Sequence, residues 1–175
     1  VRELPGVEAA ALGGAGWPGY LPSSATPGRP RQNYVFYVAG PGLFSTTRVP
    51  ILAGREFDDR DTEDSTRVAM VNEALAGRLW PKGDAVGSHV SIGSRRYDVV
   101  GVVKDLQWLT AFESPEPIAY LNYWQQDRSD SFSQDSRTHI RVVGDAASMM
   151  PEIRRVISEI DPDVPMTDVF TMSAR

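Results

Sequence analysis

The apolar residues of this 175-residue chain come in short runs that glycine and proline interrupt. The runs at 9–17 and 99–103 are typical, and none approaches the roughly 20 residues that a membrane-spanning helix requires. The chain has 15 Gly and 13 Pro, and their positions between apolar runs indicate frequent turns. This pattern predicts short strands and few helices. The start of the chain also lacks the basic and apolar segments of a signal peptide.

The overall composition is that of a globular domain, with 41% hydrophobic and 23% charged residues. The 18 basic and 23 acidic residues give a net charge of −5, so a nucleic acid is not an expected partner. Cysteine is absent, which excludes disulfides, thiolate catalysis and zinc-cysteine sites.

Local patterns predict an α+β fold in which strands outnumber helices. Residues 1–4 are interpreted as the end of a helix and 17–32 as an exposed loop. One predicted helix follows Asn72, its N-cap. Another lies in 145–160 with Asp145 or Ser148 as its cap, and Pro151 favours a main start near Met150. Further segments are predicted as strands: 7–15, 34–39, 49–52, 67–71, 90–92, 97–103, 118–121, 139–143 and 166–170.

Two motifs are compared with known binding sites. Gly14, Gly16 and Gly19 match G-x-G-x-x-G, but Pro18 and the following Ser-rich segment disfavour the helix that a dinucleotide site needs. The acidic loop, 57–66, resembles a calcium loop in its alternating carboxylates, yet it lacks the Gly and Glu that such a loop requires. We therefore interpret it as a solvated turn and predict neither a cofactor nor a metal site.

No nucleophile motif or Walker loop is present. The two histidines, His89 and His139, lie in or beside predicted strands and are interpreted as ordinary strand residues. We therefore predict no catalytic residue, although a hydrolase with a dispersed triad stays open as a weak alternative.

An ordered series of segments carries a resemblance to a known family. The segments ILAGREFDDRD, RVAMVNEALAGRLWPKGDAVGSHVSIG and YDVVGVVKD resemble the periplasmic core domain of macrolide-exporter-type, FtsX-like ABC transporter permeases. The opening LPGVEAAAL and the closing HIRVVGD and IRRVISEIDPDVPM fit the same order. The signature positions are Gly54, Arg55, Phe57, Asp61, Asn72, Glu73, Trp80, Pro81, Gly87 and Gly101.

This resemblance implies a fold and a division of the chain. The expected architecture is a porter-like α+β unit formed by both ends, 1–45 and 135–175, with a smaller β-rich subdomain, 46–134, inserted. The signature positions are expected to have structural roles. Gly54 and Gly101 would permit turns or close backbone approach, Asn72 would cap a helix, and Trp80 would anchor that helix to the sheet.

The resemblance also implies a function. It predicts a non-enzymatic domain on the periplasmic face of the bacterial cytoplasmic membrane, coupling transmembrane helices to extracytoplasmic partners. The start at Val1 rather than Met agrees with a fragment of a longer protein. Expected partners are the permease's own transmembrane helices, a second permease copy, a cytoplasmic ATPase and a periplasmic adaptor or substrate protein. A free-standing periplasmic ligand-binding or sensor domain is the alternative.

Overall fold

A computed structural model describes residues 1–21, 32–92, 95–105, 115–126, 136–163, 166, 169 and 171. Two compact units are present: a terminal unit, formed by Val1–Ala10 and Ile140–Arg175, and a central unit, Ala11–His139. The strands are β1 (Val7–Leu21), β2 (Gln32–Ala39), β3 (Ile51–Gly54), β4 (Val68–Asn72), β5 (His89–Ile92), β6 (Arg95–Val103), β7 (Ile118–Asn122) and β8 (Ser136–Val142). The helices are α1 (Leu43–Thr47), α2 (Glu73–Leu79) and α3 (Ala146–Ile160).

The strands form one mixed sheet in the order β3-β6-β4-β7-β2-β1-β8, and β5 also pairs with β6. The β2–β7 and β4–β6 pairs are parallel, whereas β4 and β7 run antiparallel. The predicted α+β class is confirmed. The porter-like character and the division at 45 and 135 stay predictions.

The centre of this sheet is buried on both faces, and β4 shows it most clearly because all five of its residues are buried. Successive side chains of a strand point to opposite faces. Ala69 and Val71 accordingly belong to one apolar cluster, while Val68 and Met70 belong to another. Part of α2 packs in the first cluster, and part of α1 packs in the second.

Two sequence predictions at the start of the chain were wrong. Residues 1–4 form a turn, in which the Leu4 N–H donates to the Val1 carbonyl at 3.1 Å. The predicted loop at 17–32 begins as strand instead, because β1 continues to Leu21 and pairs antiparallel with β2. The ladder includes the pair Pro18 and Val35, so long-range pairing overrides the local preference of a Gly- and Pro-rich segment.

The terminal unit contains the start of β1, the end of β8 and all of α3. Asp145 caps α3 by accepting hydrogen bonds from Ala147 N–H at 3.1 Å and Ser148 N–H at 3.2 Å. The predicted Asp145 cap is therefore confirmed. The helix begins at Ala146 and contains Pro151, whereas a main start near Met150 was predicted. The cap stabilises the first turn despite the backbone hydrogen bond that proline cannot make.

Several predicted features lie outside the described residues. They include residues 22–31 of the predicted 17–32 loop and the hairpin turn that the sequence predicts at Gly93–Ser94. Residues 127–135 of the polar, serine-rich segment 124–138, which the sequence predicts to be a loop, also lie outside them. The predicted return strand at 166–170 is described only at Met166 and Val169, neither of which is in a strand. No helix in the described part of the chain combines the length and apolar character of a membrane span.

Candidate functional site

The signature residues between β3 and β4 form a partly buried ion pair, in which Asp61 is buried and the Arg55 side chain is 34% exposed. Arg55 Nη1 and Nη2 each donate to the Asp61 carboxylate at 2.7 Å, in a two-pronged contact. This contact raises the pKa of Arg55, and Asp61 is only 4% exposed. Phe57, between them in sequence, is buried in the apolar cluster of β4 Val68 and Met70. The pair and the apolar contact together fix the start of the acidic loop.

Close backbone approach explains the two glycines beside this ion pair. Gly54 has a φ of +74°, and an added Cβ would lie 2.1 Å from the Val100 carbonyl oxygen. At Gly101 an added Cβ would lie 2.3 Å from the Arg55 carbonyl oxygen and 2.8 Å from Met70 Cε. No side chain fits at either point, so β3 and β6 can meet there only through glycine.

Amide side chains from the far end of β7 fasten the acidic loop. Asn122 is fully buried and donates to the Asp61 carbonyl at 2.9 Å. Gln125, in a 3₁₀ turn at Tyr123–Gln125, donates from Nε2 to the Thr62 and Thr66 carbonyls and to Ser65 Oγ. Its Oε1 accepts from Val68 N–H at 2.9 Å. The loop is thus tied to β7 and to the start of β4.

Asn72 joins three elements through one buried amide. Its Oδ1 accepts from Leu75 N–H at 3.0 Å, which caps α2, and from Ile118 N–H at 2.8 Å, at the start of β7. Its Nδ2 donates to the Glu116 carbonyl at 2.7 Å. The predicted cap is therefore present, and it also holds β7 against the β4–α2 junction.

The start of α2 has a second acceptor, which sequence reasoning missed. Asp105 Oδ1 accepts from Ala74 N–H at 3.0 Å, and Glu73 Oε2 accepts from Asp105 N–H at 3.5 Å. Burial raises the pKa of Asp105, and the nearby Glu73 charge adds to the rise. Only the position of Asp105, two residues after the end of β6, could have suggested a role.

The remaining signature positions lie around the end of α2. Trp80 is half-buried and packs against the apolar cluster that contains Leu75, while Pro81 is exposed. Gly87 has a φ of +86°, and its N–H donates to the Val99 carbonyl at 2.9 Å. These residues shape the turn that leads into β5.

Nearby arginines offset part of the negative charge of the acidic loop. Arg60 donates two hydrogen bonds to the Asp58 carboxylate and depresses the pKa of that group well below its usual range. Within the described residues no three His, Asp or Glu side chains converge to hold a metal ion. The G-x-G-x-x-G motif lies inside β1 rather than at a strand-to-helix junction.

The histidines are separated in the sheet. His89 begins β5 and His139 lies in β8, where burial lowers the pKa of its imidazole. The structure therefore brings together Arg55 with Asp61 and the two glycines, and separately joins Asn72 with Glu73 and Asp105. Each of these groupings orders backbone, and neither histidine belongs to them.

Known permease domains share the sequence pattern and the fold. Curated relatives in Bacillus subtilis (strain 168) are the uncharacterized ABC transporter permeases YknZ, 22% identical over 118 residues, and YvrN, 28% identical over 112 residues. The matched regions cover 67% and 62% of this chain. They make up only 30% and 27% of the relatives' own lengths.

Solved structures agree in fold. The periplasmic region of MacB from Actinobacillus actinomycetemcomitans matches with a TM-score of 0.67 and 15% identity, over 91% of this chain and 70% of that one. The extracellular domain of the noncanonic ABC-type transporter YknZ from Gram-positive bacteria matches with a TM-score of 0.63 and 16% identity, over 92% and 80%. The MacB-like periplasmic core domain model matches residues 1–160. The chain therefore belongs to the MacB-like periplasmic core domain family.

Proposed function

We propose that this chain is the extracytoplasmic domain of an ABC-type permease, and that it transmits conformational change between transmembrane helices and partners outside the membrane. The observation that carries the proposal is the family match over residues 1–160. Relatives named as ABC transporter permeases and similar structures named as periplasmic or extracellular regions support it. The domain itself is non-enzymatic in this proposal, and a separate cytoplasmic ATPase hydrolyses ATP.

The construction of the central unit suits a part that moves as a body. Side-chain amides link residues far apart in sequence, as in the contacts of Asn72 with Ile118 and Asn122 with Asp61. Such ties resist local deformation, so a displacement at one end of the unit reaches the other. A partner that binds one permease state more tightly then shifts the whole protein toward that state. Candidate partners are a second permease copy, an adaptor and a substrate protein.

Placement can be tested by cysteine labelling, because this chain has no native cysteine. Exposed Lys82→Cys, in the parent protein freed of other cysteines, should react in intact cells with a membrane-impermeant maleimide. Buried Val71→Cys is the control and should react only after denaturation. The domain should stay with the membrane after osmotic shock, whereas release into the shock fluid would favour the free-standing binding domain.

Coupling can be tested with the same reagent. The labelling rates at Lys82→Cys and at Arg154→Cys are compared in the parent permease assembled with its cytoplasmic ATPase, once without nucleotide and once with the ATPase trapped by ATP and vanadate. The proposal expects at least one rate to change between the two states. If neither site changes its labelling rate between the two states, the coupling role is refuted, even if the domain proves to be extracytoplasmic.

A further inference from the structure

Trp124 is a large exposed side chain on an unusually well-anchored turn. It is 53% exposed, while its neighbours Asn122, Gln125 and Gln126 are all buried. The Trp124 backbone N–H donates to Asn122 Oδ1 at 2.9 Å, and the Gln126 side chain donates to the Asn122 carbonyl at 2.8 Å. The indole also meets the Tyr123 ring edge-to-face, with centroids 5.2 Å apart. The backbone that carries Trp124 is therefore held in place by the turn's own hydrogen bonds.

The same anchoring brings carboxylates toward this turn. Gln125 binds the acidic loop at Thr62 and at Ser65, and the two residues between those points are Glu63 and Asp64. Both are exposed. The loop and the exposed indole are thus presented by one hydrogen-bonded assembly.

The charge of this assembly is not balanced internally. Arg55 pairs with Asp61 and Arg60 pairs with Asp58, so these four charges offset one another. Among the described residues, Asp59, Glu63 and Asp64 have no ion-pair partner. A net negative charge therefore remains on the loop, which Gln125 ties to the turn that carries Trp124.

From this combination we infer that Trp124, Glu63 and Asp64 form a docking surface for a basic segment of a partner protein. A lysine or arginine side chain is attracted both by the face of an indole and by carboxylates. Tryptophan is also enriched among residues that dominate binding energy at interfaces. Because hydrogen bonds already hold the turn and the loop, binding requires little ordering of the backbone on this side. The complementary charge favours a cationic partner over an acidic or neutral one.

The probe for the test is a short peptide that alternates glycine with arginine and lysine. The ¹H–¹⁵N resonance of the Trp124 indole, assigned by comparison with Trp124→Phe, should shift on titration. A peptide with glutamate and aspartate at the cationic positions should leave it unchanged. Trp124→Leu should weaken binding roughly threefold to tenfold, as expected for loss of the cation–π contact.

Matched charge variants separate a local surface from a net-charge effect. Glu63→Gln with Asp64→Asn should weaken binding roughly tenfold at low salt, whereas Glu3→Gln with Asp84→Asn, exposed residues elsewhere, should change it less than twofold. Equal losses in the two double variants would overturn the inference. So would an unshifted indole at millimolar peptide, or an indole shift that follows protein concentration without peptide. These outcomes do not bear on the coupling role, which the labelling rates test.

Discussion

Replacing Asn72 by alanine removes the side chain that holds β4, α2 and β7 together. Loss of the α2 cap costs about 1 kcal/mol. The Ile118 N–H and the Glu116 carbonyl also lose their partners, and a buried polar group left unpaired costs about 1–3 kcal/mol. We therefore expect Asn72→Ala to lower the free energy of unfolding by roughly 3–5 kcal/mol, or the melting temperature by about 10 °C in a domain of this size.

Asp145→Ala is the matched control, because Asp145 also caps a helix but lies at the surface and joins no strand. Its loss should cost about 1 kcal/mol. Urea unfolding followed by circular dichroism measures both variants, and the slopes against urea show whether each unfolds cooperatively. If Asn72→Ala costs no more than Asp145→Ala, the link from Asn72 to β7 contributes nothing and the reasoning is refuted.

Three further predictions concern the neighbouring contacts. Gly101→Ala should destabilise the central unit by more than about 2 kcal/mol through overpacking. Gly77→Ala, in α2 with open space around its Cβ position, should instead stabilise it by about 0.5–1 kcal/mol. Thermal melts of the two variants test this difference. Asp61→Asn should cost about 1–3 kcal/mol because it breaks the two-pronged contact with Arg55. Asp58→Asn, which removes a longer contact with Arg55 at 3.4 Å, should cost less, as urea titration can show. The raised pKa of Asp105 means that the folded state binds its proton more tightly than the unfolded state, so its contribution to stability falls as pH rises above the ordinary value of 3.8. The change in the free energy of unfolding caused by Asp105→Asn should therefore be more favourable at pH 7 than at pH 3. An equal change at both pH values would contradict this.

Local signals were sufficient where one short segment determines its own structure. Asn72 followed by Glu73 predicts a helix start because a side-chain oxygen two or three residues before free N–H groups can bind them. Glycine at positions 54 and 101 likewise suggested close backbone approach. The structure added the contact surfaces, namely the Val100 and Arg55 carbonyls, which depend on the pairing of β3 with β6.

Contacts between residues far apart in the chain could not be predicted from the sequence, for a physical reason. Gln125 binds residues about 60 positions earlier in the chain, and no spacing in a single sequence encodes such a distance. The continuation of β1 through Trp17 and Pro18 has the same origin, since its hydrogen bonds come from β2. Glu56 is a third case, because its carboxylate caps α1 from outside by accepting from Phe44 N–H at 2.6 Å.

The residues of the predicted family signature and the residues that would meet a partner are different sets. Arg55 pairs with Asp61, and Asn72 bonds to backbone groups of α2 and β7. Contacts within the fold therefore determine the positions of these side chains. They therefore carry the fold, and a resemblance based on them transfers the fold without specifying what binds. Specificity must come from side chains that the scaffold positions but leaves exposed. Trp124 and Glu63 meet that condition, so variation there can change the partner while the sheet and its ties stay intact.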